Sequence, residues 1–180
     1  RKNTKTAKFL LVFFLCGMII PIQLNLVPLF KIVANLGLVR SHAGISLLYV
    51  TIGLPISIFF YTSFIKTVPR ELDEAGVIDG CGKFRLFFQV IFPLLKPVTI
   101  TVIILKFLSA WNEFFLAGVF INTRELRTVQ LAIYSFMGEF HKDWIHMFPM
   151  IVLGTLPLFV VYIFLQRYII SGIIAGSIKG

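Results

Sequence analysis

The sequence predicts an all-α integral membrane protein, and three observations support this fold class. Of its 180 residues, 58% are hydrophobic, 14% are charged and 20 are phenylalanine. The mean hydropathy of +0.92 is far above that of an ordinary soluble domain. Four apolar runs reach the roughly 20 residues that a helix needs to cross a bilayer. Because backbone amides in a bilayer must be satisfied within their own segment, each run is expected to be helical.

The four predicted transmembrane spans cover approximately residues 9–30, 43–65, 98–121 and 147–165. Prolines within them indicate bends, because membrane helices tolerate proline where neighbouring groups satisfy the freed backbone. We find no internal repeat or flexible linker, so one domain over residues 1–180 is the simplest interpretation. The sequence opens with Arg1, and no signal-peptide pattern precedes the first run. We therefore expect it to begin inside a longer protein.

The distribution of Lys and Arg predicts the orientation of the chain. From the amino end, the segments outside the four runs hold four, two, five, three and two basic residues, so alternate segments hold eleven against five. The positive-inside bias then places both ends and the loop of residues 66–97 in the cytoplasm. The basic residues form no aromatic-interleaved basic face, which argues against a nucleic-acid partner.

Three glycines and a lysine in the cytoplasmic loop, GVIDGCGKF, come close to a phosphate-binding loop. Five residues separate Gly76 from Gly82 where a phosphate loop has four, and Phe84 follows Lys83 where Ser or Thr is required. A phosphate loop also follows a buried strand, whereas this stretch lies between two apolar runs. The sequence therefore argues against nucleotide binding by this chain.

The first half of the same loop predicts a short helix. Pro69 suits a first helical position, and three carboxylates follow where the positive end of the helix dipole favours them, namely Glu71, Asp73 and Glu74. The helix should stop between Gly80 and Gly82, because glycine adopts the open backbone that a helix end requires.

The second half of the loop predicts a helical segment from Lys83 to Phe92. Arg85 and Gln89 are four apart and so share one face, while phenylalanines occupy the others. Pro93 and Pro97 should end the segment. Such an amphipathic segment is expected to lie along the membrane surface.

Several residues of this loop fall in a known order: Glu74-Ala75-Gly76, then Asp79-Gly80, then Pro93. The order resembles the EAA loop of the permease subunits of binding-protein-dependent ABC importers. The resemblance implies a coupling helix, including Glu71, that docks on a cytoplasmic ABC ATPase dimer. ATP would be bound by that partner, and this chain would hold no cofactor. Gly76 stands where a second alanine is usual, which predicts a looser helix because glycine costs ~1 kcal/mol relative to alanine.

Two further segments are similar to the carbohydrate-uptake, maltose-type branch of that family. FLSAWNEFF, residues 107–115, is similar to a Trp-Asn-acid segment in the branch's fifth helix, and residues 156–180 are similar to its carboxyl terminus. The resemblance implies a type I ABC importer permease bundle in a bacterial plasma membrane, without catalytic residues. It further implies a second permease subunit, an extracytoplasmic solute-binding protein and a carbohydrate substrate.

Lys106 and Glu113 lie inside the third run, where charges are costly and usually face a bundle interior or a water-filled path. Lys106 has the alternative of extending to the cytoplasmic interface. Trp111 and Asn112 supply an aromatic plate and an amide, which hold sugars by stacking and hydrogen bonding, although Trp111 has the alternative of an interfacial anchor. Since consecutive helical residues are ~100° apart, we expect Asn112 and Glu113 to line a substrate path and Trp111 to shape its wall.

A group of acidic and histidine side chains precedes the last run: Glu139, His141, Asp143 and His146. Their spacing matches no zincin pattern, so we expect a polar extracytoplasmic turn and no metal site.

Two alternatives to a sugar permease stay open at this point. One is a permease for another solute, such as phosphate or an amino acid, because substrate is determined by the cavity rather than by the chain's end. The other is a membrane-embedded enzyme or assembly factor that uses the loop only to bind a cytosolic partner. That second alternative requires a polar catalytic constellation at one depth, which we do not find in the sequence.

Overall fold

A computed structural model describes residues 4–137 and 143–177, with side chains described as far as Phe164 and at Gln166. The regular structure of these residues is helical, which confirms the predicted all-α class. A π-helix, Leu86–Ile91, joins two short α-helices, and 3-10 turns cover Ile22–Asn25 and Arg124–Leu126. The α-helices are α1 (Lys5–Cys16), α2 (Leu26–Asn35), α3 (His42–Phe64), α4 (Glu71–Ile78), α5 (Lys83–Arg85), α6 (Phe92–Leu94), α7 (Lys96–Trp111), α8 (Phe115–Phe120), α9 (Val129–Ser135) and α10 (Trp144–Ser177).

Among the described residues, two helices are individually long and apolar enough to cross a membrane, His42–Phe64 and Trp144–Phe164. They coincide with the predicted spans 43–65 and 147–165. A third candidate is the bent pair Lys83–Leu94 and Lys96–Trp111, which passes the same test together and bends by 70° at its break. The structure therefore contains two such helices, or three with the bent pair, where the sequence predicted four.

The predicted continuous helix over residues 9–30 is interrupted. Helix α1 ends at Cys16, turns follow, and Pro21 precedes the 3-10 turn that leads into α2. Glycine at position 17 is a poor helix former and Pro21 has no amide to donate, so a helix is weakest between them. The result is two shorter apolar helices in place of one span.

The predicted span 98–121 is also interrupted. Helix α7 begins earlier than predicted, at Lys96, and ends at Trp111, after which residues 112–114 leave the helical path before α8. Hydrophobicity alone did not reveal this break, because a few polar residues such as Asn112 and Glu113 barely lower the hydrophobicity of a long apolar run.

The described residues pack as two compact units. Of the described residues, 4–19, 54–104 and 167–177 form the first unit, and 20–53, 105–137 and 143–166 form the second. The buried core of the first unit contains Val68, Ile91, Leu95 and Val98. The buried core of the second unit contains Val33, Ile45, Leu48, Leu116, Ala117, Phe120, Ile121 and Leu131.

Large apolar side chains are exposed along several of the described helices. Phe9 and Phe13 on α1 are 68% and 63% exposed, and Phe159 and Phe164 on α10 are 62% and 69% exposed. Soluble proteins rarely expose apolar surface on this scale. Together with the span-length helices, this surface is typical of a protein that contacts lipid.

Candidate functional site

The first part of the candidate site is α4, a short helix that the sequence predicted. Its first turn carries Glu71, Asp73 and Glu74, where carboxylates interact favourably with the amide end of the helix dipole. Pro69 was predicted at the first helical position and lies outside the helix, because Arg70 occupies the N-cap. The prediction of helix type was correct and its first residue was misplaced by two positions.

The end of α4 is set by Gly80, which has a φ of +74°. The Cys81 amide donates to the carbonyl of Gly76 at 2.9 Å, and the Gly80 amide donates to the carbonyl of Val77 at 3.0 Å. These two bonds form a Schellman motif, whose left-handed residue is usually glycine because a Cβ is disfavoured there. The predicted glycine stop is confirmed.

Gly76 has a structural reason to be glycine. It is the buried residue of α4, and a Cβ added there would collide with Cδ1 of Leu86. Leu86 is the first residue of the π-helix and is itself partly buried. The side chain of Leu86 thus occupies the space that a side chain at position 76 would take. Helix α4, which was predicted to be looser because of Gly76, is therefore held by a close contact with Leu86.

The segment Lys83–Leu94 is helical, but not uniformly α-helical. Pro93 was expected to end it and instead lies inside α6, while Pro97 lies in the first turn of α7. Proline cannot donate to the preceding turn, and a π-helix is one of the local adjustments that accommodates such a defect. Nε of Arg85 donates to Oε1 of Gln89 at 2.8 Å, as their shared face predicts.

We call residues 71–94 the elbow. Five of the residues predicted to contact an ATPase are exposed on α4 and its end, namely Glu71, Glu74, Ala75, Asp79 and Gly80. Gly76 is buried and Pro93 is exposed. Val77 and Ile78 are 64% and 84% exposed, so the end of α4 presents apolar as well as acidic groups to its surroundings.

The second part of the candidate site is the break at residues 112–114, where Glu113 forms three hydrogen bonds. Its Oε1 accepts from the Leu116 amide at 2.7 Å, and its Oε2 accepts from the Ala117 amide at 3.1 Å. The hydroxyl of Tyr49 on α3 donates to Oε2 at 2.8 Å. The first amides of a helix lack partners within the helix, so Glu113 caps α8.

Trp111 and Asn112 also have partners within the protein. Nε1 of Trp111 donates to the carbonyl of Gly154 on α10 at 3.0 Å, and its ring stacks on Phe107 with centroids 5.7 Å apart. Nδ2 of Asn112 donates to the carbonyl of Leu108 at 2.8 Å. Asn112 is exposed, whereas Trp111 and Glu113 are partly buried. Of the three predicted path residues, Asn112 therefore has the most accessible side chain.

Two residues of this region were missed by sequence reasoning. Tyr49 is 64 positions from Glu113, and no local pattern connects them, although a tyrosine hydroxyl in an apolar helix does need a partner. The second is Gly154, whose carbonyl accepts the hydrogen bond from the Trp111 indole. A Cβ at position 154 would lie 3.1 Å from Cδ1 of Ile133 on α9. The sequence shows that position 154 is a glycine, but it does not show that Trp111 and Ile133 lie beside it.

The predicted polar turn before α10 is only partly described. Glu139 and His141 lie outside the described residues. Nδ1 of His146 lies 2.7 Å from Oδ2 of Asp143, and this hydrogen bond holds the pKa of Asp143 below its usual value. Among the described residues, no group of three or more His, Cys, Asp or Glu side chains is placed to hold a metal ion.

Comparison with known proteins gives consistent matches. Residues 1–175 match the family described as binding-protein-dependent transport system inner membrane component. The melibiose/raffinose/stachyose import permease protein MelC of Bacillus subtilis is 34% identical over 181 residues, covering 100% of this chain and 66% of MelC. The sulfoquinovosyl glycerol transport system permease protein SmoH of Agrobacterium fabrum is 34% identical over 180 residues, covering 100% of this chain and 63% of SmoH.

A solved structure shares the fold. It is the crystal structure of a bacterial ABC transporter involved in the import of the acidic polysaccharide alginate, and it matches with a TM-score of 0.76 at 20% identity. The match covers 93% of this chain and 64% of that chain. The chain thus spans less than two thirds of the length of each of these three proteins.

Proposed function

The chain belongs to the family of binding-protein-dependent transport system inner membrane components, and from this premise we propose that it is a permease subunit of an ATP-driven carbohydrate importer. Both curated relatives are named as permease proteins for sugars or sugar derivatives. This supports a carbohydrate substrate over phosphate or an amino acid.

The elbow is the observation that carries the proposal. Its helix α4 exposes Glu71 and Glu74 in the first turn, ends at a Schellman turn, and is held to the π-helix through the contact of Gly76 with Leu86. An exposed helix that is fixed to its neighbour can transmit a displacement as a unit, because packed side chains have few alternative arrangements. We propose that α4 docks on a cytoplasmic ATPase dimer.

The mechanism that follows is alternating access. The partner ATPase binds ATP and closes, the elbow transmits that motion, and the helices around the path reopen from the inside to the outside. A second permease subunit completes the path, and a solute-binding protein delivers the carbohydrate from outside. In this proposal the chain itself is no enzyme and holds no cofactor.

The substrate path is proposed to include Asn112, with Glu113 and Trp111 beside it. Asn112 is exposed, and its amide can exchange hydrogen bonds with sugar hydroxyls. Glu113 has a second role as the cap of α8, so its contribution to substrate is tested separately below.

The docking proposal is tested by reversing one charge on α4. Glu74→Lys should weaken co-purification of the ATPase with the complete permease and reduce uptake, because an exposed carboxylate at the docking tip becomes a cation. The matched control is Glu125→Lys, which makes the same charge change at an exposed position of the loop assigned to the other side. Equal ATPase recovery from the Glu74→Lys and wild-type complexes would contradict docking through α4.

The orientation is tested by labelling in intact cells. In a background without Cys16 and Cys81, cysteine at position 125 should react with an impermeant reagent, and cysteine at position 83 should not. Position 142 is also proposed to face outward, so a cysteine that replaces Lys142 should react like the cysteine at position 125. The reverse pattern would place the elbow outside, where no ATP-binding partner is available.

A further inference from the structure

Lys106 is a charged residue of the apolar run whose position the sequence left open. In the structure its side chain lies across Gly53 of α3. A Cβ added to Gly53 would be 3.2 Å from Cδ, 3.4 Å from Cε and 3.5 Å from Nζ of Lys106. The end of the lysine side chain, including the ammonium group, therefore occupies the space that a side chain at position 53 would take.

This contact fixes the depth of the ammonium group. Gly53 is the middle residue of α3, which has 23 residues and is long and apolar enough to cross a membrane. At 1.5 Å per residue the middle of such a helix is about 16 Å from either end. The ammonium of Lys106 is thus level with the centre of a span and does not extend to an interface, which was the alternative that the sequence allowed.

No carboxylate balances this charge among the residues that the structure describes. The carboxylate nearest in sequence within the same run, Glu113, accepts from Leu116, Ala117 and Tyr49. The described ion pair of this unit joins His146 and Asp143. Lys106 is partly buried and has no ion pair or hydrogen bond within the described residues. Charged groups in membrane spans are costly and mark paths for substrates and ions.

We propose that Lys106 is a specificity-determining residue of the substrate path and that its ammonium receives an anionic group of the transported carbohydrate, such as a uronate carboxylate. This inference rests on the proposed function, since it names the class of carbohydrate. An ammonium and a carboxylate form a charge-assisted hydrogen bond that strengthens where water is scarce. A neutral sugar offers hydroxyl oxygens only and leaves the charge unbalanced.

Gly53 is part of the same inference. Any side chain at position 53 would compete with the lysine for the surface of α3, so the glycine lets the long aliphatic stem lie flat and keeps the ammonium at this depth. The stem atoms Cδ and Cε lie against Gly53, and long cationic side chains commonly pack their stems on apolar surface while the charged end finds polar surroundings.

The test uses the complete transporter, with its ATPase, second permease and solute-binding protein, in proteoliposomes. Uptake is measured in competition between neutral disaccharides and their uronate counterparts, so that changes in overall transport rate cancel in the ratio. Lys106→Met keeps the length of the side chain and removes the charge. Lys106→Arg keeps the charge. Lys96→Met is the matched control, because Lys96 is an exposed lysine at the start of the same helix.

We expect the wild-type transporter to import a uronate sugar, and Lys106→Met to lower the uronate-to-neutral ratio at least about tenfold, the value of one lost charged hydrogen bond. Lys106→Arg and Lys96→Met should leave the ratio near that of the wild type. An unchanged ratio in Lys106→Met would overturn the inference, as would import of neutral sugars alone by the wild type.

Two other results bear on the same question. Loss of the second permease from the purified Lys106→Met complex would show that the charge pairs across subunits, and would overturn the inference. Absence of any carbohydrate uptake by the wild-type complex would overturn the proposed function, and this inference with it. Failure of the inference alone is therefore recognised by carbohydrate uptake that persists without dependence on Lys106.

Discussion

The elbow and the break at residues 112–114 both interrupt helices, yet they do so by different means. In the elbow the backbone itself turns, through the positive φ of Gly80 and two amide-to-carbonyl bonds. In the break the backbone leaves amides without helical partners, and the side chain of Glu113 satisfies them. One interruption is made by a residue without a side chain, and the other by a residue that needs its side chain.

The difference follows from the surroundings of each region. The carboxylates of Glu71 and Glu74 are exposed on α4, so they need no partner within the chain. Inside an apolar run each unsatisfied amide is costly, so a polar side chain nearby is taken up by the backbone. Polarity in a span therefore indicates either a ligand or a broken helix, and only the contacts distinguish these two roles.

The largest effect is expected from Gly80→Pro. Proline fixes φ near −65°, whereas Gly80 has a φ of +74°. The substitution should therefore destabilise the turn by about 3 kcal/mol or more, and it removes the amide that donates to the carbonyl of Val77. Uptake should be abolished while membrane insertion is retained. Gly82→Ala is the control, because Gly82 has an ordinary φ of −64° and open space around it. Normal transport by Gly80→Pro would show that the turn does not matter for coupling.

A smaller effect is expected when the cap of α8 is removed. Glu113→Leu leaves the Leu116 and Ala117 amides without an acceptor, and each unsatisfied buried group lowers the free energy of unfolding by about 1–3 kcal/mol. The thermal midpoint of the purified complex should therefore fall. Tyr49→Phe removes one donor and should cost about 1 kcal/mol. If Tyr49→Phe destabilised the complex as much as Glu113→Leu, the cap would not be the main role of the carboxylate.

Glu113→Gln then separates stability from transport. It keeps the shape and one acceptor oxygen, so we expect it to change substrate preference or transport rate while the elbow still couples uptake to ATP hydrolysis. Unchanged uptake and specificity in both Glu113→Leu and Asn112→Leu would assign these residues to helix packing alone, and the substrate path would have to lie elsewhere.

The smallest effect is expected at the contact between Gly76 and Leu86. Gly76→Val fills space that Leu86 occupies, so it should loosen the elbow and raise the ATP hydrolysed per sugar imported. Adding Leu86→Ala should restore part of the coupling, because neighbouring residues that share one space have non-additive effects of about 0.5–3 kcal/mol. Additive effects of the two substitutions would indicate that the contact does not fix the elbow.

Sequence reasoning was most successful where the signal is local. The start of α4 follows from three carboxylates in one turn, and its end follows from Gly80. The pairing of Arg85 with Gln89 follows from helical spacing. Continuity of the spans was the main error, because a hydrophobic run of sufficient length shows that a segment can cross a bilayer and does not show where its hydrogen-bond ladder breaks.

The sequence by itself determined the helical class, the membrane environment, the elbow and the family resemblance. These depend on composition, on spacing within one helical turn and on motifs of adjacent residues. Only the tertiary structure decided which partners the polar side chains have. Glu113 meets Tyr49, Trp111 meets Gly154 and Lys106 lies on Gly53. The partners come from different helices, and their meeting depends on how those helices pack, which periodicity within one segment does not encode.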